Sequence, residues 1–77
     1  MKKYYIIKQI NDNKTQYLYY FTFINLVMDK VIYNDLYVVK KELAMRFKYK
    51  YIANTLAKAV KGKVEECYVK ESIKWED

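Results

Sequence analysis

The chain has 77 residues, with 15 Lys or Arg against 9 Asp or Glu, a net charge of +6 and 53% hydrophobic residues. That length allows one domain, 1–77, with a small core and a polar tail from about residue 72. With no His, one Cys and one Gly, the chain lacks most of the side chains that perform catalysis, so its composition points to a binding module.

Lys3 to Ile10 and Thr15 to Phe23 alternate as strands do, and they flank Asn11-Asp12-Asn13-Lys14, a cluster of turn formers. A hairpin closed by a four-residue loop is expected. In its first strand Tyr4, Ile6 and Ile10 share one face, and Tyr5, Ile7 and Gln9 the other. In its second, Tyr17, Tyr19, Phe21 and Phe23 oppose Leu18, Tyr20 and Thr22. Both faces are apolar or aromatic, so a helix should cover one side and more chain, or a partner, the other. The most hydrophobic window, Tyr17 to Met28, is well short of the roughly 20 residues that span a bilayer, and reads as a strand with the residues just after it.

Lys30 to Tyr33 is expected as a short third strand and Asn34-Asp35 as a turn, with Leu36 to Val39 either extending the strand or leading into a helix. Lys40 to Arg46 holds good helix formers, and Tyr49 to Val60 places Ile52, Leu56, Ala59 and Val60 at helical spacing. A short helix and a longer one are therefore expected, the second stopping near Lys61, with Gly62 as terminator. From Lys63, Val64, Glu66, Tyr68 and Lys70 alternate with Glu65, Cys67, Val69 and Glu71 as a last strand, before a tail holding Trp75. The fold class that results is α+β: three or four antiparallel strands, with one short and one longer helix on one face.

Lone Cys67, on a strand and without a His to activate it, reads as a buried structural thiol and fits a reducing compartment. Lys2 and Lys3 precede a strand pattern and not the apolar stretch of a signal peptide, which points to the cytoplasm. Neither adjacent acidic pair suggests a paired-carboxylate site: Glu65 and Glu66, neighbours on a strand, point to opposite faces, and Glu76-Asp77 lies in the terminal tail. No glycine-rich phosphate loop or cysteine cluster for zinc occurs. A non-enzyme without cofactor or metal is expected.

Charge is concentrated in the second half. Lys40, Lys41, Arg46, Lys48, Lys50, Lys58, Lys61 and Lys63 are opposed between residues 40 and 63 only by Glu42. Such a segment favours polyanions or acidic protein surfaces, and a solvated lysine-rich face is the competing reading. Ten tyrosines supply rings suited to half-buried sheets and interfaces. As a protein-binding face the candidates are Tyr17, Tyr19, Tyr33, Tyr37, Tyr49 and Tyr51. In a nucleic-acid reading, Arg46, Lys48, Tyr49, Lys50 and Tyr51, with the neighbouring lysines, grip phosphates while rings stack on bases. Tyr17, Tyr19 and Phe21 form a candidate homodimer face.

Thirty-six of the residues are Lys, Tyr, Ile or Asn, types with A/T-rich codons. The order hairpin, Ala44-Met45-Arg46-Phe47, helix with Ala53, Leu56 and Ala57, then Gly62-Lys63-Val64, is similar to a pattern among very small proteins of bacteriophages and mobile elements of low-GC Gram-positive bacteria. The resemblance covers the whole chain. It implies an inhibitor or modulator that binds a host protein or nucleoprotein directly, anti-CRISPR proteins against Cas nucleases being one prominent class. The net charge of +6 contradicts DNA mimicry by an acidic surface.

Overall fold

The computed structural model describes residues 2–69. Four strands, β1 (Lys3–Asn11), β2 (Lys14–Val27), β3 (Lys30–Val38) and β4 (Lys63–Tyr68), form one antiparallel sheet in the order β3-β2-β1-β4. One helix, α1 (Lys50–Val60), completes the α+β fold.

The first hairpin is tighter than expected: Asn11 pairs with Lys14 across the two residues Asp12 and Asn13. Both have positive φ, 50° and 67°. That geometry follows the twist of the flanking strands, and Asp and Asn tolerate it. A second hairpin turns at Met28 and Asp29, also with positive φ, and joins β2 to β3. β3 then runs straight through Asn34 and Asp35, so no turn occurs there.

The expected short helix is replaced by a single 3-10 turn at Lys41–Leu43. It lies on the face of the sheet opposite α1, so the two do not share a layer. On one face Ala44 packs with Ile6 and Cys67, flanked by Tyr4 and Tyr17. On the other, Ala57 and Val60 of α1 pack with Ile7 and Leu18. Cys67 is buried and its thiol is free.

The chain changes faces through a fork. β1 and β2 pair only over Lys8–Asn11 and Lys14–Tyr17, and then diverge. In the gap the Met45 N–H donates to the Leu18 carbonyl at 2.8 Å, and Phe47 exchanges two 2.8 Å backbone bonds with Tyr5. Phe47 emerges in the α1-side cluster. These bonds satisfy strand edges that divergence would leave unpaired.

α1 is held by its alanine stripe and by its last carbonyls. Ala53 and Ala57 are buried, letting the helix approach the sheet closely. The Tyr33 hydroxyl donates to the Ala59 carbonyl at 3.0 Å, and Gln9 Nε2 to the Val60 carbonyl at 2.6 Å. A helix cannot satisfy these final carbonyls internally. The left-handed closing residue is Lys61, at φ 58° and ψ 40°, followed by a 2.8 Å bond from the Gly62 N–H to the Ala57 carbonyl. A side chain is unfavourable in this conformation and glycine is not. Relief of the left-handed penalty, about 1–2 kcal/mol, outweighs the roughly 0.5–1 kcal/mol of extra chain entropy glycine loses, so Lys61→Gly is expected to raise stability by up to about 1 kcal/mol, read from urea denaturation midpoints.

Candidate partner-binding surface

Register decides which side chains the strands show. Shifts between Leu18 and Tyr20, and again between Phe23 and Asn25, insert one extra residue each, Tyr19 and Ile24. Such bulges break strict alternation. Consequently Leu18 and Phe21 share the α1 side, while Tyr17 packs on the opposite side beside Ile6. The grouping of Tyr17, Tyr19 and Phe21 on one dimer face does not survive this geometry.

Past Leu18, β2 pairs with β3 alone. The result is a two-stranded arm in a molecule of 51 × 27 × 18 Å. Among the described residues, ten of the 17 exposed large hydrophobic ones fall between Tyr19 and Leu36, which makes the arm their largest apolar concentration. Leu26 is 60% exposed, Phe23 57%, Ile24 52% and Met28 90%. Between Thr15 and Ile32 only Asp29 and Lys30, at the turn, carry charge.

The candidate tyrosines divide in two. Tyr33 and Tyr37 are half-buried and bonded inward: Tyr33 stacks on Phe21 at 5.0 Å, and Tyr37 donates to Asp35 Oδ2 at 2.7 Å while accepting from Gln9 Nε2 at 3.1 Å. Gln16 Nε2 donates to Gln9 Oε1 at 3.2 Å and extends the network to β2. Burial first, and the bond to Asp35 second, push the Tyr37 phenol far above its usual pKa. The folded chain thus keeps a proton that an unfolded tyrosine loses near pH 10, so this contribution is complete below about pH 10 and falls as pH rises above it. Tyr37→Phe should lose less stability than the parent between neutral and strongly alkaline pH, measured by urea titration. Equal slopes would remove Tyr37 as a source of the dependence.

Tyr49 and Tyr51 face outward, 49% and 69% exposed, with ring centroids 5.8 Å apart. Lys48 Nζ lies 5.5 Å over the Tyr49 ring, and the Arg46 guanidinium 4.3 Å over Tyr4. The eight basic residues of the segment do not form one patch. Lys48 and Lys50 stand at the start of α1, and Lys58, Lys61 and Lys63 at its far end, roughly 16 Å along the axis. Lys41 bonds Glu65, which also meets Lys8 at 3.6 Å. The bond from Lys41 above all holds the Glu65 carboxyl below its usual pKa, against the opposing effect of partial burial. Lys40 is exposed at the turn before Lys41.

Among the described residues no group of three His, Cys, Asp or Glu side chains could hold a metal. No helix there is long and apolar enough to cross a membrane. The expectations for Lys70, Glu71 and the tail with Trp75 lie outside the described residues. The residues that sequence reasoning missed are Ile24, Leu26, Met28, Ile32 and Leu36 on the arm. Their signal was the uncharged window Tyr17 to Met28. Comparison with protein-family models, curated proteins and solved structures gives no match for this chain.

Proposed function

We propose that this chain is a non-enzymatic inhibitor or modulator that docks on a host protein or nucleoprotein through the β2–β3 arm. The supporting observation is the concentration of exposed Phe, Ile, Leu, Val and Met on a ribbon whose residues from Phe23 to Ile32 are all exposed. Contiguous apolar patches beyond a few hundred Å² are rare on free-standing proteins and mark sites that bind something else. The lysines of the body contribute attraction at longer range and favour an acidic rim around the apolar contact. The resemblance to small phage-encoded proteins supports a host macromolecule as partner, and a CRISPR-Cas nuclease belongs to that class.

The test compares immobilised parent and Leu26→Lys chains in nuclease-treated lysate of a low-GC bacterial host. One host protein retained by the parent and lost by the variant supports the reading. Equal retention by both would remove the arm from it.

A second reading is favoured by the exposed Tyr49 and Tyr51 rings flanked by Lys48 and Lys50. Rings stack on unpaired bases, and lysines meet phosphates. In that case Lys48→Glu with Lys50→Glu weakens binding to a labelled oligonucleotide and flattens its salt dependence. No binding by the parent at low salt eliminates it.

A further inference from the structure

We propose that the free edge of β3 pairs antiparallel with β3 of a second copy, joining the two arms in one continuous sheet about a two-fold axis at Asn34. Among the described residues β3 bonds through its backbone to β2 alone, leaving its outer row of N–H and C=O groups open. Proteins usually protect such an edge with proline, a bulge, an inward-pointing charge or a central lysine. In β3 the one lysine, Lys30, stands at the very end, and the one acid, Asp35, is engaged by Tyr37. Outside the body the arm is only two strands wide, a width that is marginal in water.

Chemistry selects the occupant. Pairing about Asn34 uses all nine residues of β3 and sets Ile32 opposite Leu36 of the other copy, twice, and Val31 opposite Tyr37, twice. Apolar and aromatic cross-strand pairs of this kind stabilise a sheet. The same register sets Lys30 opposite Val38, Tyr33 opposite Asp35 and Asp29 opposite Val39 of the other copy, so no like charges face each other across the seam. α1 packs mainly over β1 and β4 and meets β3 through the side chain of Tyr33, not along its outer backbone edge. The pairing is independent of the host-partner reading, because it takes the edge of the arm and leaves the exposed side chains from Phe23 to Ile32 on its faces uncovered.

Sedimentation equilibrium of the full chain tests it without any host component. The expected mass is twice the 9.4 kDa of one chain. Ile32→Lys with Leu36→Lys should sediment as a monomer with an unchanged circular dichroism spectrum. Should that variant fail to fold, Asn34→Cys in a Cys67→Ala background keeps the register testable, since residue 34 meets its own copy and oxidation should cross-link it. Asp35→Cys in the same background should not cross-link, because it faces Tyr33. A monomer at every concentration up to the millimolar range overturns the proposal. So does a dimer that forms without the Asn34 cross-link, which would place the contact on a face of the arm or elsewhere.

Discussion

Truncating Leu18 to alanine is expected to lower folding stability by about 2–5 kcal/mol. Among the described residues, Leu18 is with Ile6 and Ile7 one of the three large side chains that are fully buried. At the fork its side chain packs against Ile7, Ala57 and Val60, with Phe47 and Phe21 around them, while its carbonyl accepts from Met45. Removing it leaves a cavity that β1, β2 and α1 can close only by moving together, and the backbone bonds through the fork resist that. A domain of this size carries roughly 4–12 kcal/mol in total, so the loss takes a large share. Thermal unfolding should shift down by roughly ten degrees or more. Tyr19→Ala, one residue later but on the bulge and 50% exposed, should cost less than about 1 kcal/mol. Similar costs for both variants would mean that the fork is not a rigid packing centre.

The contrast between Leu18 and Tyr19 shows what the sequence carries and what it leaves open. Runs of Tyr, Ile and Phe between turn formers are strand-like whichever face they show, so β1, β2 and β4 were legible from pattern alone. A bulge leaves no mark in such a run, because an aromatic residue is as acceptable at the extra position as beside it. The phase after Leu18 therefore came from structure. Asn34 and Asp35 are turn formers, yet they remain in β3 because Tyr33 and Tyr37 on either side reach inward to Ala59, Asp35 and Gln9. Met28 is a poor turn residue, and the second hairpin was missed for that reason. Lys40 to Arg46 has helical propensity, but a short segment gains little from it against a costly nucleus, and the backbone bonds of Met45 and Phe47 to the fork win. For the binding surface, the apolar window was visible, whereas its exposure depends on β4 joining β1 and not β3.

Replacing Gly62 with alanine should cost about 1–3 kcal/mol, and valine more. The position was legible as a glycine that ends a helix, but the left-handed residue is Lys61, and Gly62 is needed for a different reason. A Cβ on Gly62 would stand 2.9 Å from Ile7 Cγ2 and 2.9 Å from the Lys8 carbonyl oxygen. The second of these is backbone, tied into the β1–β4 ladder through the pairing of Lys8 with Lys63, so it cannot rotate away. Relief requires α1 or β1 to shift, and either movement disturbs Ile7 and Val60, which are 0% and 3% exposed. It also strains the bond from Gln9 to the Val60 carbonyl. Two adjacent substitutions should thus act in opposite directions: Lys61→Gly stabilises by removing a side chain from left-handed backbone, and Gly62→Ala destabilises by adding one where β1 passes. Urea denaturation of the two single variants and the double variant separates these causes. Additive effects are expected if Lys61 acts through its own backbone and Gly62 through contact with β1. A neutral Gly62→Ala would show instead that β1 and the helix end have room to part, and would remove the close approach as the reason for glycine.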